Sequence, residues 1–182
     1  MKGIIFNLAE EVVRREHGED TWDAILLRAG LDGSWTSLGS YPDEHLERVV
    51  TGAAALLGTD ERTVLCTVAE GAIPLLAVRY PHFFTPHTDT RAFVLTLNDM
   101  IHPEVRKVYP GATPPVFGFE SAPEGEMLLS YTSARRLCAL AEGFVYGAAK
   151  HYGQPVVISQ PACMLDGASR CLLRCRFTDD AA

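Results

Sequence analysis

Residues 109–115, Tyr-Pro-Gly-Ala-Thr-Pro-Pro, separate two stretches of chain with different hydrophobic periods. Three prolines and a glycine in so short a run cannot continue a helix, because proline lacks the amide donor and fixes φ. Before this break the apolar residues recur at helical spacing. Ile4, Ile5, Leu8, Val12 and Val13 fall on one stripe. Thr21 reads as the cap of a short helix carrying Trp22, Ile25, Leu26 and Ala29, which Gly30 ends. Pro42 suits the first turn of the next helix, with Leu46, Val49, Val50 and Ala53 inward and Gly58 at its end. Asp60 opens another through Leu65, Val68 and Ala72, which Pro74 should kink or interrupt. The last is expected over about residues 90–109, presenting Phe93, Leu97, Met100, Ile101 and Val105.

After the break the period shortens to that of strands. Residues 116–121 and 126–133 read as a strand pair joined by a turn at Pro123 and Gly125. Residues 135–153 are apolar and helical, and 155–160 with 171–177 form a second strand pair. The fold class is therefore α+β, with helices segregated from an antiparallel sheet. We expect one domain over residues 1–182, with a helical lobe over about 1–65 and an α+β lobe over about 66–182.

Charge narrows the partners. The net charge is −7 and no basic run is visible, which argues against nucleic acid and anionic membrane. No apolar stretch approaches the roughly 18–20 residues of a membrane span. The start of the chain turns acidic and periodic without the apolar core of a signal peptide, so the expectation is a cytoplasmic protein. Five cysteines in a reducing compartment point to metal binding or redox chemistry before disulfides.

Two features carry chemistry. His102 follows Met100 and Ile101 on an apolar helix. It is either a core or surface histidine bonded to a neighbour, or a neutral imidazole offered to a metal, as one proximal histidine holds haem iron in many proteins. Tyr131, Ser133 and Arg135 alternate through residues 131–136. On an extended strand they would share one face, presenting a phenol, a hydroxyl and a guanidinium. That face is either solvated or a clamp for a carboxylate or phosphate. Haem brings two propionates beside an apolar ring, so the two features are complementary.

Tyr131-x-Ser133-x-Arg135 resembles the Y-x-S-x-R motif of the haem nitric oxide/oxygen binding (H-NOX) domain family, which includes the sensor domain of soluble guanylate cyclase. Residues 1–7 resemble the start of its stand-alone bacterial members, residues 101–115 their proximal-histidine helix and proline turn, and residues 135–143 the helix after the motif. The resemblance implies haem b between the two lobes, iron on His102, and propionates held by Tyr131, Ser133 and Arg135. It gives Pro115 the role of pressing on the porphyrin, although a plain loop proline fits equally.

Oxygen-binding members resemble one another in placing a tyrosine on the helix after the motif. The matching position here is Leu140, with Phe144 and Val145 also apolar, and Tyr146 is expected to point elsewhere. Ile5, Leu8, Pro74 and Val78 are expected to complete the distal wall. Without a donor, bound oxygen forgoes a charge-assisted hydrogen bond of roughly 1.5–3 kcal/mol. The expectation is a non-enzymatic nitric oxide sensor that excludes oxygen and binds carbon monoxide more weakly. By resemblance, nitric oxide ruptures the iron–His102 bond, the lobes shift, and a sensor histidine kinase or cyclic-di-GMP enzyme reads the change. A peroxidase would need distal acid/base groups, and His82 and His87 read as surface residues.

Cys138, Cys163 and Cys171 resemble the thiols that, with a histidine, bind structural zinc in some bacterial H-NOX proteins. The histidine position matches Gln160 here, and glutamine is a poor zinc ligand. Cys175 is the other possible fourth ligand, but it lies four residues from Cys171, about 13 Å along a strand at ~3.3 Å per residue. The cluster is thus a zinc site, a three-cysteine site with a labile fourth position, or a redox-sensitive thiol group. An alternative function follows: a thiol/zinc redox-sensing interaction module with haem as stabiliser. Cys66 reads as a packed core thiol.

Overall fold

The structure is a computed structural model that describes residues 1–178. Four helices come first: α1 (Gly3–His17), α2 (Glu19–Ala29), α3 (Asp43–Leu57) and α4 (Glu61–Arg79). α1 buries Phe6, Leu8, Ala9, Val12 and Val13. Ile4 and Ile5 are only half-buried, so the stripe is centred on Phe6, which stacks on Trp35 at 4.3 Å. Trp22, Ile25, Leu46 and Val49 pack into the same core. α2 starts before Thr21, whose hydroxyl donates back to the His17 carbonyl at 2.7 Å and caps nothing. Gly30 closes α2 in the left-handed conformation, φ 61°.

Asp60 caps α4 by accepting from the Thr63 amide at 2.9 Å. Pro74 does not interrupt this helix, which runs through to Arg79. Val64 belongs to the first core and Ile73 to the second, so one helix passes through the expected division near residue 65 and serves both cores.

The helix expected over residues 90–109 is three pieces. α5 (Thr90–Leu95) leads into a π turn (Leu97–Ile101), and α6 (His102–Val108) follows. The wide turn is closed by the Ile101 amide donating to the Thr96 carbonyl, five residues back, at 3.1 Å.

Strands β1 (Val116–Glu120), β2 (Glu126–Thr132), β3 (Val156–Ala162) and β4 (Cys171–Phe177) form one antiparallel sheet in the order β1-β2-β4-β3. Their alternation buries Leu129 and Tyr131 of β2 and Cys171, Leu173 and Cys175 of β4. α7 (Cys138–His151) connects β2 to β3 and packs along α4. Contact is close because Gly143 lies on the Cys66 carbonyl and Gly147 on the Glu70 carbonyl. Among the described residues no helix is long and apolar enough to cross a membrane.

Candidate functional site

A cavity of about 530 Å³ opens between the helices and the sheet, within the range of about 300–1,000 Å³ usual for small-molecule and cofactor sites. His102, the first residue of α6, lines it and is only 9% exposed. Its Nδ1 is buried with no hydrogen-bond partner. Burial, with a smaller push from the Arg106 cation, lowers its pKa to about 4, so the imidazole is neutral near pH 7. The ring stacks on Phe117 of β1, centroids 5.8 Å apart. Asn98, in the π turn, clasps the same residue: Nδ2 donates to the Phe117 carbonyl at 2.6 Å, and the Phe117 amide donates to Oδ1 at 3.3 Å. The π turn is thereby pinned to the edge strand just before His102.

Apolar side chains make up most of the remaining wall: Ile5 and Leu8 of α1, Ile73 and Leu76 of α4, and Leu140, Phe144 and Val145 of α7. Val78 and Pro74 were expected there and are absent from it. Val78 is 82% exposed and Pro74 is also exposed. The cavity face of α4 is set by Ile73 and Leu76, with Tyr80 directly after its end, and Val78 lies about 200° around the helix from Leu76. Tyr146 faces away, towards the Ile158 backbone. Tyr80 and Tyr109 also line the cavity, and their hydroxyls bond to one another at 2.9 Å. His82 also touches the lining, from the short 3-10 turn Pro81–Phe83, whereas His87 does not.

Tyr131, Ser133, Arg135 and Pro115 all line the cavity, but the three motif residues do not share a strand face. β2 ends at Thr132, and Ser133 and Arg135 lie in the turn that follows. Arg136 adopts φ 53° and reverses the chain. The Leu137 amide then donates to the Tyr131 hydroxyl at 3.0 Å, and the Arg135 amide to Ser133 Oγ at 3.2 Å. Arg135 is held by residues that the sequence reading missed. Its Nε donates to Asp43 Oδ2 at 2.8 Å, and Nη1 to the Thr113 carbonyl at 3.0 Å and Oγ1 at 2.7 Å. Burial pulls the Asp43 carboxyl upward, but hydrogen bonds from the Met1 amino group and Arg135 outweigh it and hold the pKa below the ordinary value. Only the position of Asp43 in the first turn after Pro42 hinted at a role.

The thiols gather where the end of β2 meets the start of β4 and of α7. Cys163 Sγ is 3.8 Å from Cys138 Sγ and 3.9 Å from Cys171 Sγ, and all three sulfurs lie within 4.8 Å of one another. Neither suggested fourth ligand joins them. Gln160 Oε1 accepts from Arg62 Nη1 at 3.1 Å, and Cys175, four residues along β4, is not in the cluster. Cys66 is half-buried and not a core thiol, and desolvation raises its pKa to about 11.

The large cavity fits haem by its chemistry: an apolar lining, one neutral imidazole with an unpartnered nitrogen, and a guanidinium with two hydroxyls at its edge. A Cys3His zinc site does not fit, because the histidine is missing.

The haem-NO-binding family model matches residues 2–160. An H-NOX protein from S. oneidensis, solved in its Fe(II)NO ligation state, is 33% identical with TM-score 0.90, covering 98% of this chain and 100% of that one. The Shewanella oneidensis H-NOX domain in its Fe(II)CO state is 32% identical with TM-score 0.88, covering 99% and 100%. An oxygen-binding H-NOX domain related to soluble guanylate cyclases, solved as its oxygen complex, shares the fold at 22% identity and TM-score 0.81, covering 98% and 96%. A search of curated proteins found no match. The chain belongs to the haem-NO-binding, or H-NOX, family.

Proposed function

We propose that this chain is a haem-based nitric oxide sensor that excludes oxygen, performs no catalysis itself, and signals to a separate cytoplasmic protein. The observation that carries this is the pairing of His102, neutral and unpartnered at Nδ1, with a cavity wall that has Leu140 where a tyrosine would hold oxygen.

Haem b supplies a ferrous iron able to take a diatomic gas. His102 would be its protein ligand, held in place by Phe117 and the Asn98 clasp. The hydroxyls of Tyr131 and Ser133, and the guanidinium edge of Arg135 left over from Asp43 and Thr113, would hold the propionates. Pro115 lines the cavity one residue before β1 and would press on the ring. Ile5, Leu140 and Phe144 exclude water and offer no hydrogen-bond donor to a gas. His102, as the residue that would hold the iron, would couple the state of the gas site to the helices around it, and a sensor histidine kinase or cyclic-di-GMP enzyme would read the change.

The test is an absorption spectrum of the ferrous, haem-loaded chain, alone and with each gas. A five-coordinate spectrum that stays five-coordinate with nitric oxide, shifts with carbon monoxide and ignores oxygen supports the reading. His102→Gly should lose the unligated spectrum and regain it with added imidazole. A stable oxygen complex would overturn the selectivity. Failure to retain haem would favour the alternative redox-sensing thiol module, which the sulfur cluster supports on its own.

A further inference from the structure

α6 is held at its two ends and hardly anywhere between. Of its seven residues only His102, the first, is buried. Its main neighbour among the helices and strands is the π turn before it. At the start stands the Asn98 clasp on Phe117. At the far end Tyr109, directly after Val108 and only 7% exposed, meets Tyr80, directly after α4, hydroxyl to hydroxyl at 2.9 Å. Burial and the bond to Tyr80 push the Tyr109 phenol well above its ordinary range, so it keeps its proton near pH 7.

The next residue is tied as well. Lys2 Nζ donates to the Pro110 carbonyl at 3.1 Å, to the Leu38 carbonyl at 2.7 Å and to Ser40 Oγ at 2.8 Å, which uses all the donors of the ammonium. Lys2 immediately precedes α1. Two neighbouring residues, Tyr109 and Pro110, thus fasten the end of α6 to α4 and to the chain in front of α1. A helix of this length is a short rod of about 10 Å at ~1.5 Å per residue. A rod with little packing along its length is positioned by its ends.

We propose that Tyr80 and Tyr109 are positioning residues for His102: their hydroxyl pair, with Lys2 on the Pro110 carbonyl as a second tie, holds the far end of α6 and so sets where the imidazole stands in the cavity. The consequence for an iron ligand rests on the haem reading, whereas the fastening of α6 does not. Without the tie, α6 is free to pivot on the π turn. With it, a shift of His102 is delivered to Tyr80 and so to α4, the helix shared by both cores.

The test is Tyr109→Phe in the ferrous, haem-loaded full chain, which keeps the ring and removes the hydroxyl. Amide hydrogen exchange over residues 104–109 should quicken about two- to tenfold, as for one lost hydrogen bond, while α2 and α3 stay unchanged. The iron–histidine stretching band should shift or broaden. Tyr80→Phe should do the same, and the double variant should do no more than either alone, because one bond is lost in all three. Lys2→Met should add to their effect. Unchanged exchange, or tyrosine effects that add, would overturn the proposal. So would faster exchange with an unmoved iron–histidine band, which would reduce the pair to a structural contact. Failure of the haem reading shows separately, as a wild-type chain without an iron–histidine band that His102→Gly removes. The haem-free chain then decides: Tyr109→Phe should broaden or split the His102 ring resonances, and unchanged resonances overturn the proposal there too.

Discussion

Arg135 Nε donates to Asp43 Oδ2 at 2.8 Å, joining the turn after β2 to the first turn of α3 across 92 residues of sequence. The pair is partly exposed, so its own worth is about 0.2–1 kcal/mol. Its larger effect is to orient the guanidinium at the cavity edge. Asp43→Asn should speed haem loss about two- to fivefold, measured by transfer to an excess of a haem-free acceptor protein. An unchanged rate would mean that Thr113 alone positions Arg135.

Leu140→Tyr places a hydroxyl on the cavity wall. The hydrogen bond to bound oxygen is worth roughly 1.5–3 kcal/mol, so oxygen affinity should rise about 10- to 150-fold. Titration of the ferrous variant in air-equilibrated buffer reads this directly. No gain would show that Leu140 is the wrong distal position.

Asn98→Ala removes both bonds of the clasp on Phe117. Unpairing the buried Phe117 amide and carbonyl should cost about 1–3 kcal/mol, read by denaturant unfolding. Because Phe117 stacks on His102, the iron–histidine stretching frequency of the haem-loaded variant should also shift. A stability loss with an unmoved frequency would limit Asn98 to a structural role.

In the haem-free chain His102 resists protonation. Its folded pKa of about 4 lies below the ordinary 6.5, so between those values the unfolded chain binds the extra proton. Stability should therefore be full above pH 6.5 and fall as pH drops towards 4, by at most about 3 kcal/mol at ~1.4 kcal/mol per unit. His102→Phe should flatten that part of the pH profile. An unchanged slope would assign it to carboxylates.

Gly143→Ala would drive a methyl group into the Cys66 carbonyl and to 2.8 Å from Ala69 Cβ. Backbone on both helices blocks relief, so destabilisation of about 1–3 kcal/mol is expected, seen as a melting temperature lowered by several degrees. Gly58→Ala, with open space around it, is the contrasting control for backbone strain without a clash.

The architecture was legible because the hydrophobic period changes at residues 109–115, and the strands fall within two residues of the sequence reading at each of their ends. The π turn was not legible. An extra residue between Thr96 and Ile101 barely alters apolar spacing, and a five-residue backbone bond leaves no side-chain signature. Tyr131, Ser133 and Arg135 were identifiable by their donor chemistry, but the alternation argument for their shared orientation failed because β2 ends at Thr132, before Ser133 and Arg135. Asp43 and Thr113 were invisible as partners of Arg135, because tertiary ion pairs follow no local period. Val78 failed for a simpler reason: apolar character does not say which face of α4 a residue occupies.

α4 carries Val64 in one core and Ile73 in the other, with Pro74 a step beyond. Proline has no amide to offer the carbonyl of Glu70, and the neighbour at that carbonyl is Gly147, with no side chain of its own. The helix is thus a beam with one missing tie, next to the thinnest point of its support. Val64 is ten residues from that point, about 15 Å at ~1.5 Å per residue, so a bend of only about 10° would carry it roughly 2.6 Å. Small strain at the cavity wall would arrive in the N-terminal core as a displacement too large for close-packed side chains to absorb without repacking.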